Sequence, residues 1–281
     1  MCFLAFCFWH GNCYGVCMNT ETEITMWANG GGGCRWGKLP FVEMKEVADM
    51  GGRVTLLIRH AERPPLDPTD KTYGARLPIT ARGWSTAREL GWMLAHAVRP
   101  RSVAFHASST LRTVETAYAM ANGMGEPGSG CIVEKEVRIS EFLGGDSPFF
   151  GSAEERWALI GEGHYHDRVN EYFRCGHMRG YRPLKGAMEE MESLLAGLHG
   201  GEGGLTVAVT HDINVAAFLA GGGVVPSFTD ETWPGFLDAA VILRHPDGHS
   251  EHGVLRWQDA MLQPGSEEDV FYAGLPQRKI A

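Results

Sequence analysis

The chain has 281 residues, enough for one large domain or two small ones. Its 44% hydrophobic and 21% charged residues are those of an ordinary globular protein and exclude wholesale disorder, and it has no run of about 18 uncharged apolar residues to cross a membrane. With 25 Lys and Arg against 34 Asp and Glu, the net charge of −9 has the wrong sign for a general nucleic-acid binder, yet clustered arginines can still hold a small anion.

The first forty residues are unlike the rest. Cys2, Cys7, Cys13, Cys17 and Cys34 lie there, five of the seven cysteines, a one-sided distribution that does not make a disulfide framework for the body of the protein. His10, Cys13 and Cys17 fit no strong paired-ligand zinc spacing. The apolar start (residues 1–9) lacks the basic residue and small-residue cleavage site of a secretory signal, so a cytoplasmic location is expected. Gly30-Gly31-Gly32-Gly33 reads as a linker. Residues 1–45 are expected to be a flexible or artefactual extension, with a single functional domain over 46–281.

From Arg53 onward strands and helices alternate. Val54-Thr55-Leu56-Leu57-Ile58 is a continuous apolar run, the pattern of a strand buried on both faces. Thr80 caps a helix to about residue 97, with Pro100 beyond its end. A strand over 103–105, a helix over 111–121 and a short strand at 131–133 follow. Residues 143–184 read as irregular, with short helices such as 153–160. A helix over 184–198, a strand over 205–210, a helix over 212–220, a strand over 237–243 and an edge strand over 254–257 complete the chain. Repeated β-α-β units with buried strands predict an α/β fold: a three-layer α/β/α sandwich on an open, mostly parallel sheet. In such sheets ligands bind beyond the carboxyl ends of the strands.

Three strand ends carry chemistry. Arg59-His60-Ala61-Glu62-Arg63 follows the first, Ser108-Ser109-Thr110-Leu111-Arg112 the second, and His211-Asp212 the strand ending at 210. Singly each has a plain structural explanation, such as Asp212 capping a helix or Arg112 standing on a surface. Together they compose a site for a phosphoryl group. Guanidinium groups bind nonbridging oxygens and stay charged. A neutral imidazole is a competent nucleophile, and a carboxylic acid can protonate the departing oxygen. With arginines supplying positive charge, neither a metal nor another cofactor is required.

These residues resemble the histidine phosphatase superfamily, which includes acid phosphatases and phosphoglycerate mutases. Beyond Arg59-His60, the run Ile79-Thr80-x-x-Gly83-x-x-Thr86-Ala87-x-x-Leu90-Gly91 is similar to the helix after the family's catalytic loop. Ser108-x-x-x-Arg112-x-x-x-Thr116-Ala117 resembles its second arginine motif, and Val209-Thr210-His211-Asp212 its second histidine motif. Ala61 stands where the family usually has glycine. The resemblance implies a phosphoglycerate mutase-like fold and attack by His60 on phosphorus. It implies Arg59, Arg63, Arg112 and His211 around the phosphoryl oxygens, and Asp212 as proton donor. Glu141 stands where the mutase-like branch carries its acid and is the alternative donor. Trp233-Pro234-Gly235-Phe236 is similar to an aromatic-proline turn at the pocket mouth of the acid phosphatases.

The expected activity is hydrolysis of a small phosphomonoester, with residues 143–184 as a partial lid, no nucleic-acid partner and no membrane. Alternatives are a mutase, a phosphohistidine-protein phosphatase and a non-catalytic phospholigand-binding protein. The mutase ranks lower because Arg63-Pro64-Pro65-Leu66 replaces the serine-x-tryptophan-asparagine run of those enzymes. His106 lies near the expected pocket, with contact to substrate left open. His164, His166 and Asp167 read as a solvated surface.

Overall fold

The computed structural model describes residues 4–9, 12–19, 23–28, 41–67, 72, 74–156, 165–198 and 201–257. Near the start, β1 (Leu4–Trp9), β2 (Asn12–Asn19) and β3 (Glu23–Ala28) pair as a three-stranded antiparallel sheet. His10 lies outside the described residues. Helix α1 (Phe41–Asp49) buries Phe41, Met44 and Val47 in the core of the body.

Six strands form the main sheet: β4 (Arg53–Arg59), β5 (Ser102–Ala107), β6 (Ile132–Ile139), β7 (Leu205–Thr210), β8 (Ala239–Arg244) and β9 (Ser250–Leu255), in the order β6-β5-β7-β4-β8-β9. The pairs β6–β5, β5–β7 and β7–β4 are parallel, while β4–β8 and β8–β9 are antiparallel. Period-two alternation divides each inner strand between two cores. Leu56, Ile58, Val207, Val209 and Val241 face one, with α1, α2 (Ala81–Ala97) and α3 (Leu111–Met124). Leu57, Ala208, Ala240 and Ile242 face the other, with α4 (Tyr165–Cys175), α5 (Leu184–Gly197) and α6 (Asp212–Gly221). The architecture is therefore the expected three-layer α/β/α sandwich. Edge strand β6 is largely exposed and carries Glu134, Lys135, Glu136 and Arg138, charges that discourage edge pairing. No helix among the described residues is long and apolar enough to cross a membrane.

Several elements depart from expectation: α1 lies where no helix is expected, β6 runs to Ile139 rather than 133, and β9 starts at Ser250 rather than 254. Helix α4 occupies part of the segment read as irregular, burying Val169, Tyr172 and Phe173 at i, i+3 and i+4 spacing. Strand β8 starts at Ala239 rather than 237, because Leu237 takes a positive φ of 66° and Asp238 ties the turn. The Asp238 carboxylate accepts from the backbone N–H groups of Gly235 and Trp257, both at 2.8 Å, and pairs with Arg256 at 3.3 Å.

Helices α2 and α3 pack backbone to backbone. A Cβ on Gly91 would lie 2.1 Å from the Met120 carbonyl oxygen, and one on Gly123 only 1.8 Å from that of Arg88. Thr80 caps α2 by accepting from Gly83 N–H at 2.9 Å, and its hydroxyl donates to Glu62 at 2.9 Å. Gly83 lies so close to the Glu62 carbonyl that a side chain would meet it at 2.3 Å. The start of α2 thus props the loop after β4.

Candidate active site

Because β4, β5 and β7 are parallel, their carboxyl ends lie together, and the ladder continues one residue past β4 and β5. His60 N–H donates to Thr210 O at 3.0 Å, and Ser108 N–H to Val209 O at 3.2 Å. His60 and His211 are thereby neighbours, their ring centroids 5.6 Å apart and their planes at 70°. Arg112 lies between them. Its Nε donates to His60 Nε2 at 3.2 Å, one terminal nitrogen contacts His211 Nδ1 at 3.4 Å, and the other donates to Gly74 O at 2.6 Å. Far from being a surface cation, Arg112 is buried, only 8% exposed.

The His60 tautomer follows from its partners. Nδ1 lies 2.8 Å from the Ala61 carbonyl, which can only accept, so Nδ1 carries the proton. Nε2 is left with its lone pair turned toward the guanidinium of Arg112. The loop is pinned by Thr116, whose hydroxyl oxygen accepts from Ala61 N–H at 2.9 Å and donates to Arg112 O at 2.7 Å. Burial, then His211 and the two arginines, holds the His60 pKa well below the ordinary imidazole value, against the opposing pull of the Ala61 carbonyl. The ring is neutral at neutral pH.

Arg59 leaves the end of β4 to donate to Pro234 O at 2.5 Å, lies over the Phe236 ring at 4.5 Å and pairs with Asp212 at 3.2 Å. Asp212 is the first residue of α6 rather than its cap, and its Oδ1 accepts from Ile213 N–H at 2.8 Å. Burial pushes its carboxyl up, but Arg59, His211, that N–H and the Trp233 side chain outweigh burial and lower its pKa. The carboxylate remains 35% exposed, open to an approaching molecule. Arg63 donates to Pro64 O at 2.9 Å, and its pKa is lowered by burial and by Arg59. Burial and the like charges of Arg63 and Arg59 lower Arg112 to about 10, against the pull of Asp212. His211 falls to about 3, through burial first and Arg112 next. Among the described residues, the Nε–H groups of Arg59 and Arg63 are buried without an acceptor. Three guanidiniums thus share one carboxylate, and the surplus of positive charge and of unmet donors suits a compact oxyanion.

Glu141, in a short 3-10 turn over Glu141–Leu143, accepts from Ser109 at 2.8 Å. Among the described residues it makes no hydrogen bond or ion pair with His60 or the arginines. His106 is buried on β5 with Nδ1 3.2 Å from Ser140 Oγ, and burial followed by Arg138 lowers its pKa to about 4. His164 lies outside the described residues; His166 stacks on Trp233 at 4.4 Å and pairs with Asp230 at 2.6 Å.

Sequence reasoning did not single out Gly74, whose carbonyl orients Arg112, or Asp238, which holds the turn presenting Pro234 and Phe236 to Arg59. Gly74 acts through its own carbonyl on a side chain far away in sequence, and Asp238 ties the nearby Gly235 to the distant Trp257, so neither belongs to a motif. Ser108 stood only within a motif; it is fully buried, with Oγ 3.2 Å from His211 Nε2 and 2.9 Å from Thr113 Oγ1.

No protein-family model matches the chain, and no curated protein matches it. Solved structures do. A mycobacterial glucosyl-3-phosphoglycerate phosphatase is 16% identical, with 73% of this chain and 99% of that one covered at a TM-score of 0.45. Phosphoglycerate mutase from Bacillus anthracis is 13% identical, with 72% and 93% covered at 0.42. Phosphoserine phosphatase from Entamoeba histolytica is 17% identical, with 71% and 94% covered at 0.41. These are members of the histidine phosphatase superfamily, whose motifs the sequence resembles.

Proposed function

We propose that the protein hydrolyses small phosphomonoesters through a phosphohistidine on His60, with Asp212 as proton donor. The observation that carries this reading is the His60 tautomer. A neutral ring with Nδ1–H fixed on Ala61 O presents an unprotonated Nε2 within 3.2 Å of a buried guanidinium. In the first step a bond forms from Nε2 to phosphorus while the ester P–O bond breaks, and Asp212 protonates the leaving oxygen. In the second, water attacks phosphorus, the Asp212 carboxylate takes its proton, and inorganic phosphate leaves a neutral His60. Arg59, Arg63, Arg112 and His211 surround the three nonbridging oxygens and offset the charge that builds there.

A carboxyl held low by Arg59 is a poor acid until substrate arrives. An incoming phosphate dianion competes for Arg59 and sets negative charge beside Asp212, and both effects raise the carboxyl pKa. Asp212 is preferred over Glu141 because it pairs directly with a phosphate-binding arginine. Of the segment expected to form a partial lid, Tyr165 lies edge-on to Trp233 at 6.3 Å, and the Trp233 side chain hydrogen-bonds Asp212.

The test is a panel of alkyl and aryl phosphates assayed in the presence of chelator. Asp212→Asn is expected to slow alkyl esters by about 10²–10⁴-fold. Aryl esters, whose leaving groups need little protonation, are expected to change far less. Equal losses on both would remove Asp212 from the acid role, and selective loss in Glu141→Gln would transfer that role to Glu141.

A further inference from the structure

The partners of His211 fix its tautomer as firmly as those of His60, with the opposite result. Nδ1 lies 3.4 Å from a terminal nitrogen of Arg112, and a guanidinium can only donate, so Nδ1 carries the lone pair. The proton of the neutral ring then sits on Nε2, 3.2 Å from Ser108 Oγ. Ser108 has a lone pair to receive it. Thr113 directs its single hydroxyl proton to a carbonyl, with Thr110 O at 2.8 Å and Ser108 O at 2.9 Å. The Ser108 hydroxyl is therefore the donor in its 2.9 Å bond to Thr113 Oγ1. The chain runs one way, from Arg112 through His211 and Ser108 to Thr113.

That arrangement does not suit an oxyanion. Nδ1 faces Arg112 from one side as His60 Nε2 does from the other, whereas Nε2 is turned to the fully buried Ser108. A phosphoryl oxygen between the two rings would meet a lone pair on His211 rather than a donor. A second proton on the ring would answer this, but it would add a fourth cation to three guanidiniums that share one carboxylate. Moving the proton from one ring nitrogen to the other adds no charge. Ser108 makes the move possible, because a hydroxyl donates as well as accepts. Turned the other way, its O–H meets the bare Nε2. Thr110 Oγ1, 3.2 Å from Ser108 Oγ and 3.1 Å from Thr113 Oγ1, can then donate to Ser108. Thr113 keeps its carbonyl, and no donor in the chain is left without an acceptor in either state.

We propose that His211 exchanges tautomers when an oxyanion binds, from Nε2–H in the free site to Nδ1–H in the complex, with Ser108 as the two-way partner of the ring. Water gives a proton to Nδ1 and takes one from Nε2, so the charge of the ring does not change. Ser108 is thus a positioning residue, acting on the phosphoryl group through His211. The exchange presupposes the phosphoryl site of the proposed function.

The experiment is long-range proton–nitrogen correlation NMR on the full chain with isotope-labelled histidine, near neutral pH, with and without saturating inorganic phosphate. The His211 signals are identified by their loss in His211→Gln and their displacement in Asp212→Asn. Calorimetry reads phosphate binding separately. Wild type is expected to show His211 protonated on Nε2 alone, and on Nδ1 alone once phosphate is bound. Ser108→Ala, which removes one oxygen, is expected to bring the two nitrogen shifts toward a common average in both states. Nδ1–H in the free protein would overturn the proposal. Retention of Nε2–H with phosphate bound, or protonation of both nitrogens, would do the same while leaving the phosphoryl site standing. Absence of phosphate binding would take away the site and the exchange together. Spectra unchanged in Ser108→Ala would remove Ser108 from the role.

Discussion

Buried histidines among the described residues shape how the molecule answers to protons. His106 and His211 have pKa values lowered to about 4 and about 3, and His60 lies well below the ordinary value. A histidine whose folded pKa is depressed leaves the unfolded chain as the better proton acceptor. Stability is therefore lost as pH falls below about 6.5, through the window down to the folded pKa. Denaturant unfolding at a series of pH values is expected to show this decline between pH 6.5 and 4. His106→Asn, which keeps a donor toward Ser140 but cannot titrate, should flatten it; an unchanged slope would remove His106 from the cause. Asp212 is held low as well, and the proposed ligand acts on it. Its pKa is low in the free site; if an oxyanion takes Arg59, as the proposed function requires, that pKa is expected to rise, and binding of inorganic phosphate near neutral pH is expected to draw a proton from solution. Calorimetry in buffers of different ionisation enthalpy is expected to register that uptake in wild type and to miss it in Asp212→Asn.

Among the elements, the α2–α3 contact is the most sensitive to volume. Gly123→Ala would drive a methyl into the Arg88 carbonyl at 1.8 Å, a clash of backbone against backbone with nothing flexible to yield. The expected cost is about 3 kcal/mol or more, read by chemical denaturation. Gly186→Ala on α5 has nothing within 4 Å of the new methyl, so the same change there should be neutral or stabilise by about 0.5–1 kcal/mol. Most elements were legible in the sequence because apolar runs and caps mark them locally, as with Val54 to Ile58 and Thr80. Helix α4 was not, since its polar face dominates the composition and Val169, Tyr172 and Phe173 are three buried residues among charged ones. Leu237 extends an apolar run, yet its positive φ comes from a turn tied by Asp238 to Arg256 and Trp257.

At the scale of the whole molecule, a sandwich with three adjacent parallel strands turns separate sequence motifs into one site. His60, Arg112, His211 and Asp212 were readable because each follows a strand by only a few residues, and parallel pairing brings those ends together. Their partners were not readable: the Gly74 carbonyl, the Thr116 hydroxyl and the Pro234 carbonyl act through contacts that only the folded chain creates. The central claim is covalent, and the most direct measurement is rapid quenching during turnover followed by mass spectrometry of the peptide containing His60. The account predicts a phosphoryl group on His60, stable in base, labile in acid and absent from His60→Ala, which should also lack turnover. Full turnover in His60→Ala, or a phosphoryl group trapped on a different residue, would contradict it.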